Sequence, residues 1–249
     1  MSLANYRIVL CQTSHPGNIG ATARAMHTMG LEQLYLVRPK HFPHAQATAM
    51  AAGATAVLDK AVVCDSLLEA LTGCALAIGL SARKRTISHR LVNVREAALE
   101  ASACAQPVAL VFGTEMSGLS NDEINLCQLL AMIPANADYS SLNLAAAVQI
   151  MSYELRMAEF NRSLASPPLA STAVELASVE CLEGFYQHLQ EALLHIGYLN
   201  PQAPKKLMQR LRRVYARMRL EKDEVHLLRG IFNLTINPKV HKKSDVQSP

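Results

Sequence analysis

The chain has 249 residues, half of them apolar, and a net charge of +4 at pH 7. This length allows one large domain or two, and the apolar share is ample for a core. The longest apolar runs fall far short of the roughly 20 residues that a membrane-spanning helix needs, and the first residues lack the apolar stretch of a signal peptide. We therefore expect a cytosolic protein with no membrane span.

Cysteine and histidine spacing gives no indication of a metal site. The cysteines are Cys11, Cys64, Cys74, Cys104, Cys127 and Cys181. No two form a Cys-x-x-Cys pair, and none of the nine histidines is grouped with them at ligand spacing. We interpret the cysteines as small buried hydrophobic residues and predict no bound metal.

The first segment of chemical interest follows a predicted strand at residues 6–11. The sequence from Thr13 opens a helix that Asn18 is predicted to cap and Gly30 to end. Gly20 and its alanine neighbours keep the first turns small, so another backbone or a ligand can approach closely. Arg24 lies one turn beyond Gly20 on the same face, which favours a guanidinium that reaches into a site.

Apolar segments with strand character alternate with helical ones through the first part of the chain. The predicted strands are residues 6–11, 34–37, 61–63, 75–80, 108–112 and 129–133. This alternation predicts an α/β fold with a parallel sheet and helices on both faces. No Gly-x-Gly-x-x-Gly follows the first strand and no phosphate-binding loop motif occurs, so a Rossmann-type methyltransferase is disfavoured.

The second segment of interest is a glycine-punctuated loop after the strand at residues 108–112. It runs from Gly113 to Gly118 and carries one acid, Glu115. Taken alone, this pattern favours a turn with a surface carboxylate. Ligands of open α/β sheets bind beyond the carboxyl ends of the strands, however, so the position of the loop favours a site. The following residues 120–123 predict a helix with a capping box.

The third segment lies where the apolar strand at residues 129–133 gives way to a helix predicted over residues 142–160. Polar residues cluster at this junction, after a break at residues 134–138. Ser141 or Ser140 is placed to cap the helix. Such junctions hold ligands in α/β proteins, although an N-terminal cap alone would also account for the serines.

These three segments, in this order and spacing, resemble the three motifs of the SPOUT class of S-adenosylmethionine-dependent RNA methyltransferases, in its 2′-O-methylating branch. The resemblance covers about residues 6–160. The matching positions are Asn18 and Arg24 in motif one, Gly113, Glu115 and Gly118 in motif two, and Ser141, Leu142 and Asn143 in motif three. The sequence around residues 14–20, 81–86 and 138–143 is similar to bacterial members that methylate cytidine or uridine 32 of tRNA.

The resemblance implies a sheet whose C-terminal part threads into a trefoil knot, from about residues 76 to 147. It also implies that S-adenosylmethionine is the cofactor and that two subunits pair, each site borrowing residues from both. The residues 145–147 with Val148 and Met151 predict a small-residue helix face for that pairing. By the same resemblance, the adenosine pocket is lined by Leu80, Ser81, Ala82, Gly113, Ile133, Ser140, Ser141 and Leu142.

The resemblance also implies the catalytic roles. The reaction needs the ribose 2′-OH aligned with the sulfonium methyl and relieved of its proton. Arg24 is the candidate for lowering the pKa of that hydroxyl, and an always-charged guanidinium does so by stabilising the developing alkoxide. Asn18, Glu115 and Asn143 are expected to orient Arg24 and the ribose. Ser141 is expected to contact the hydroxyl or the cofactor.

The composition changes after residue 160. We predict a catalytic domain at residues 1–160, a linker at 161–173, a helical extension at 174–236 and a disordered tail at 237–249. Within the extension, helices are predicted at 174–196, 204–219 and 222–234. The first 160 residues carry a balance of −1 and the remainder +5.

The positive charge of the extension is concentrated in one acid-free run. Its basic residues are Lys205, Lys206, Arg210, Arg212, Arg213, Arg217 and Arg219. An arginine-rich helix of this kind favours contact with RNA phosphates over a merely solvated face. Arg83, Lys84 and Arg85 predict a second basic cluster on the cofactor side of the sheet.

Three functions remain open from the sequence. The favoured one is 2′-O-methylation of the ribose at position 32 of tRNA by a homodimer. The same chemistry on ribosomal RNA is an alternative, and the C-terminal helical extension favours tRNA over it. A non-catalytic RNA-binding protein on the same fold is a third, and the intact Arg24, Glu115 and Asn143 argue against it.

Overall fold

A computed structural model of the protein describes residues 3–82, 90–164 and 175–238. Its strands are β1 (Tyr6–Cys11), β2 (Gln33–Val37), β3 (Val62–Cys64), β4 (Leu76–Leu80), β5 (Leu91–Asn93), β6 (Val108–Phe112) and β7 (Leu129–Met132). Its α-helices are α1 (Pro16–Met29), α2 (Ala45–Ala51), α3 (Thr55–Asp59), α4 (Leu67–Leu71), α5 (Val94–Ala103), α6 (Asn121–Asn125), α7 (Leu144–Leu164), α8 (Val179–His195), α9 (Leu207–Met218) and α10 (Lys222–Ile236).

The strands form one sheet in the order β3-β2-β1-β6-β4-β7-β5. Every neighbouring pair is parallel, which confirms the predicted α/β architecture. All six predicted strands are present with small shifts at their ends. The sequence pattern missed β5, because its three residues include only two apolar ones and so give no apolar run. The knotted path implied by the family stays a prediction.

Helices cover both faces of the sheet, and the alternation of side chains along each strand divides the core in two. In β1, Ile8 and Leu10 join the layer built with α1, α5 and α7. Val9 and Cys11 face the other layer, with α4, α6 and the start of α8. Successive side chains of a strand point to opposite faces, so a buried parallel strand must be apolar throughout.

The C-terminal helices α8 to α10 enclose their own apolar cluster around Phe185. They are also joined to the sheet domain, because the backbone N–H of Val179 donates to the Cys74 carbonyl at 2.9 Å. Gln106 makes two hydrogen bonds to the backbone of Leu176, at 3.0 and 3.1 Å. The extension is therefore docked on the sheet domain.

Two boundaries differ from the sequence prediction. Helix α7 continues to Leu164, through the first residues assigned to the linker, and the rest of the linker and the tail from residue 239 lie outside the described residues. Helix α8 starts at Val179, not at residue 174, because the side chain of Ser178 accepts from the backbone N–H of Cys181 at 3.4 Å and so caps it.

Five of the six cysteines are buried, as expected, and Cys181 is half-buried. Burial raises the pKa of the Cys74 thiol to about 11. Within the described ranges, no helix combines the length and apolarity needed to cross a bilayer. The same residues hold no cluster of three or more His, Cys, Asp or Glu side chains suited to a metal ion.

Candidate active site

The loops that follow β1, β4, β6 and β7 meet at the carboxyl edge of the sheet. Three of them, with the start of α7, enclose a cleft of about 330 Å³, a size typical of small-molecule sites. The residues of this cleft include all eight that the resemblance assigned to the adenosine pocket: Leu80, Ser81, Ala82, Gly113, Ile133, Ser140, Ser141 and Leu142.

Glu115 lies at the edge of this cleft and binds the loop after β1. The side-chain amide of Asn18 donates to its Oε1 at 3.0 Å. The Oγ and the backbone N–H of Ser14 donate to its Oε2 at 3.0 and 3.2 Å. The backbone N–H of His15 donates to Oε1 at 3.2 Å. One carboxylate thus ties motif two to motif one.

These donors determine the charge state of Glu115. Burial alone would raise the pKa of the carboxyl, but hydrogen bonds from Asn18, from its own backbone N–H and from the backbone of Ser14 and His15 stabilise the charged form. Their combined effect lowers the pKa of Glu115 to about 2. Glu115 is therefore an anion at neutral pH and a poor proton acceptor.

Asn143 extends the network to motif three. Its Nδ2 donates to the Oδ1 of Asn18 at 3.0 Å. Its Oδ1 accepts from the backbone N–H groups of Ala145 and Ala146 at 2.9 and 3.4 Å. Each end of both amides therefore has a partner of the right kind, which fixes their orientation.

Two capping predictions are wrong. Asn143, not Ser140 or Ser141, caps α7, because only its side-chain oxygen meets the first free N–H groups of that helix. Helix α1 begins at Pro16, so Asn18 lies inside its first turn and uses its side chain for the network. The prediction that Gly30 ends α1 is confirmed by its left-handed φ of 79°.

Arg24 lies on α1 with an exposed side chain. Its guanidinium makes no hydrogen bond or ion pair within the described ranges. Asn18, Glu115 and Asn143 bind one another instead, so the predicted orienting contacts to Arg24 are not formed. The arginine is thus available to a substrate.

Gly113 and Gly20 each lie where another segment of backbone passes too close for a side chain. A Cβ at Gly113 would lie 2.1 Å from the carbonyl carbon of Gly118, where Thr114 and Gly118 exchange backbone hydrogen bonds of 3.0 and 3.2 Å. This tight turn presents Glu115 to motif one. A Cβ at Gly20 would lie 2.0 Å from the carbonyl oxygen of Ala47, so that glycine permits α1 to pack on α2 and does not face a ligand.

Sequence reasoning missed several residues of the site, among them Ser14, Met116 and Tyr139. Ser14 binds Glu115, and its signal was its position directly after β1. Met116 and Tyr139 border the cleft with 92% and 79% of their surfaces exposed. Large exposed side chains beside a cleft cannot be distinguished from core residues by residue type alone.

The predicted RNA-binding residues of the extension divide into two groups. Arg212 forms an ion pair with Glu183, with one N–O distance of 2.7 Å, and lies over the ring of Tyr186. Arg219 pairs with Glu100 at 2.5 Å. The exposed basic residues are Lys205, Lys206, Arg210, Arg213 and Arg217. Arg83, Lys84 and Arg85 lie outside the described residues.

With this geometry in place, comparison with known proteins identifies the class. The profile of the SpoU rRNA Methylase family matches residues 5–153, and the chain belongs to that family. Its members are methyltransferases that use S-adenosylmethionine. A second profile, the C-terminal domain of the tRNA methyltransferase TrmJ, matches residues 180–245.

Its relatives show that, within this class, the chain belongs to the TrmJ family. The chain is 48% identical over 233 residues to the tRNA (cytidine/uridine-2′-O-)-methyltransferase TrmJ of Yersinia pestis, covering 92% of this chain and 91% of that protein. It is 47% identical to the tRNA (cytidine/uridine/adenosine-2′-O-)-methyltransferase TrmJ of Pseudomonas aeruginosa, covering 98% and 99%. The crystal structure of TrmJ from Z. mobilis superimposes with a TM-score of 0.80 at 30% identity, covering 91% and 97%.

We predict that Glu115→Gln destabilises the protein in a pH-dependent way. At pH 7 the free energy of unfolding should fall by about 1 to 3 kcal/mol, because the new NH₂ group faces donors that it cannot satisfy. The folded-state pKa lies below that of an ordinary glutamate, so the wild-type contribution is present at neutral pH and is lost as the pH falls from about 4.5 towards about 2.

Urea unfolding at pH 7 and pH 3 measures this effect. The difference between wild type and variant should shrink at pH 3. Glu191→Gln, which removes an exposed carboxylate of α8, is the matched control and should show no such difference. A Glu115→Gln protein as stable as wild type at pH 7 would contradict the assigned role.

Proposed function

We propose that this protein transfers the methyl group of S-adenosylmethionine to the ribose 2′-OH of nucleotide 32 in the anticodon loop of tRNA, accepting cytidine or uridine. The observation that carries the proposal is the network of Asn143, Asn18 and Glu115, which joins the three motifs at the carboxyl edge of the sheet. The names of its relatives and the C-terminal TrmJ match favour tRNA over ribosomal RNA.

The choice of nucleotide rests on the whole chain and not on the fold alone. A solved structure described as giving insights into the 2-OH methylation of C/U34 on tRNA shares the fold at 26% identity and a TM-score of 0.51, but it covers only 62% of this chain. A similar fold therefore occurs in a protein associated with a tRNA position other than the one we propose here. We infer that the C-terminal extension contributes to the choice of position 32.

The cleft fits the cofactor. Leu80, Phe112, Ile133 and Leu142 give it apolar walls, and the strand ends give it backbone N–H and C=O groups that can pair with an adenine edge. Bound S-adenosylmethionine supplies an electrophilic methyl group. The protein itself must then hold the ribose in line with that methyl group and stabilise the oxygen as it loses its proton.

Arg24 is the residue proposed to act on that oxygen. Its guanidinium carries a permanent charge and has no competing carboxylate among the described residues, so it can stabilise a developing alkoxide. Glu115 is not the base, because its pKa is about 2 and its oxygens are already occupied by donors. With Glu115 excluded as the base, we propose that the proton passes to solvent and that Ser141, which borders the cleft, contacts the hydroxyl or the cofactor.

We predict that Arg24→Ala lowers kcat at least about a hundredfold, the range for losing one stabilising donor, while the affinity for S-adenosylmethionine stays near wild type. Arg24→Lys should also fail, since a point charge lacks the planar fork of arginine. Calorimetry measures cofactor affinity, and mapping of ribose methylation in cells lacking the gene measures function. Wild type should restore 2′-O-methylation at tRNA position 32, whereas Arg24→Ala should not.

Lys60→Gln, an exposed cation beside the amino end of β3, is the control and should restore methylation fully. Methylation at another tRNA position, or in ribosomal RNA only, would overturn the proposed substrate. An Arg24→Ala protein that keeps most of its turnover would overturn the role of Arg24 without touching the substrate.

We propose further that α9 binds tRNA phosphates. Lys206, Arg210, Arg213 and Arg217 follow one another at helical spacing and form a single exposed stripe. Arg212 lies on the opposite face, where Glu183 and Tyr186 hold it in the fold. The stripe is the part of the basic run that RNA can reach.

We predict that substitutions on the exposed face of α9 weaken tRNA binding, whereas a substitution on its packed face lowers the stability of the fold. The triple variant Arg210→Gln, Arg213→Gln and Arg217→Gln should reduce the magnitude of the slope of log K against log salt for tRNA. The reduction should be about 0.7 to 0.9 for each arginine that binds a phosphate in the wild type, with little change in unfolding. Arg212→Gln should instead cost about 3 kcal/mol of stability, because it leaves Glu183 without its partner.

Fluorescence anisotropy across a salt series measures the slope for tRNA binding, and urea unfolding measures the stability of each variant. The loss of affinity should be similar for different tRNAs, since phosphate contacts do not read bases. An unchanged slope in the triple variant would show that this stripe is only a solvated face.

The homodimer is proposed to form through an outer stripe of α7. The small-residue face predicted from sequence is not available, because Val148 and Met151 are fully buried in the protein's own core. Tyr153, Phe160 and Leu164 lie on the opposite side at spacings of seven and four residues and are 49%, 55% and 70% exposed. We propose a second copy of the chain as the occupant of this exposed apolar stripe, because the family resemblance implies paired subunits.

We predict that the double variant Tyr153→Glu and Phe160→Glu is a folded monomer at micromolar concentration, because two charges would have to be desolvated in the interface. Sedimentation velocity measures this. Ile231→Glu on α10, at a similar exposure of 52%, is the control and should remain a dimer. A dimeric double variant would exclude this surface.

A further inference from the structure

The carboxyl end of β2 carries a basic surface that none of the motifs includes. The sequence from Gln33 to Leu58 contains no Asp or Glu. Within it, Arg38, Lys40, His41 and His44 are all exposed and lie in the connection between β2 and α2. We refer to these four residues as the β2–α2 basic surface.

The β2–α2 basic surface is attached to the active-site loop by backbone hydrogen bonds. The N–H of Gln12 donates to the Val37 carbonyl at 2.8 Å, and the N–H of Lys40 donates to the Thr13 carbonyl at 3.0 Å. Thr13 adjoins Ser14, which binds Glu115. Adjacent Cα atoms are about 3.8 Å apart. The backbone of Lys40 is therefore hydrogen-bonded to the residue that directly precedes Ser14, a member of the Glu115 network.

Helix α2, which follows this surface in the chain, packs directly on α1. Helix α1 approaches α2 so closely at Gly20 that a Cβ there would lie 2.0 Å from the Ala47 carbonyl oxygen. His44 begins α2, and its Nδ1 accepts from the backbone N–H of Gln46 at 3.1 Å. This bond leaves Nε2 as the ring's remaining nitrogen, which can donate outward from the surface.

The cationic side chains of this surface have no carboxylate partner among the described residues. Neither Arg38 nor Lys40 forms an ion pair within the parts of the chain that the structure describes. None of the four residues borders the cofactor cleft, which is lined by residues of the β4, β6 and β7 loops and by α7. A ligand of this surface is therefore an anion outside the cofactor pocket and beside the catalytic network.

We propose that the β2–α2 basic surface binds the RNA sugar–phosphate backbone next to the target nucleotide. This inference rests on the proposed function, because a substrate that places its ribose beside Arg24 must bring its flanking phosphates past the motif-one loop. This RNA contact lies on the sheet domain and is separate from the RNA contact proposed for α9. Arg38 supplies a fork for paired phosphate oxygens, and Lys40 supplies a point charge.

The double variant Arg38→Gln and Lys40→Gln of the full-length protein tests the proposal. At about 0.1 M salt, the Kd for unmodified tRNA should rise about tenfold, and the salt slope should fall in magnitude by about 1.4, the value for two contacts to a single strand. The affinity for S-adenosylmethionine and the kcat at saturating tRNA should stay near wild type. KM for tRNA should rise with Kd.

Two matched variants complete the experiment. Arg38→Lys with Lys40→Arg keeps both charges and should keep the wild-type slope. Lys60→Gln removes an exposed cation beside the amino end of β3 and should leave tRNA binding unchanged. An unchanged slope and KM in the Gln double variant, with wild type still methylating tRNA, would overturn this inference alone. A wild type that methylates no tRNA would overturn the proposed function instead.

Discussion

The hydrogen bonding of the ionised Glu115 carboxylate is the interaction on which the arrangement of the site depends. Its two oxygens accept hydrogen bonds from the side chains of Asn18 and Ser14 and from the backbone N–H groups of Ser14 and His15. Burial opposes this charge, and the donors more than offset that cost. Because the donors come from the β1–α1 loop and the first turn of α1, about a hundred residues earlier in the chain, the carboxylate fixes the position of one strand end relative to another.

The same anion explains why catalysis is assigned elsewhere. A carboxylate with a full set of donors and a pKa of about 2 holds loops in place and is a weak base. Arg24, which has no such partners among the described residues, remains exposed at the first helix. The structure thus separates Glu115, which organises the site, from the exposed Arg24, which we propose acts on the substrate.

Much of the fold followed from local patterns in the sequence. Long apolar strands such as β1 and β6 and the glycine at the end of α1 were predicted, because their signals lie within a few residues. The cap of α7 was not, since Ser140, Ser141 and Asn143 are all good capping residues, and Asn143, which caps the helix, is also held by a hydrogen bond to the distant Asn18. The missing information was a contact between distant segments.

The basic residues of α9 show the same limit. No local pattern separates Arg212 from Arg213, but one faces Glu183 and the other faces solvent. Counting charges predicted an RNA-binding helix, whereas the helical face on which each charge lies decides which of them can reach RNA. The β2–α2 basic surface was overlooked for a related reason, because its four residues are spread along a connection with no motif.

The central claim is that Glu115 remains charged because the motif-one loop surrounds it with donors. Its carboxyl carbon can be followed by NMR in protein labelled at glutamate and assigned with the Glu115→Gln variant. The account predicts a pKa of about 2 in wild type, rising towards 4.5 in an Asn18→Ala variant that lacks one donor. A wild-type pKa at or above 4.5 would contradict it.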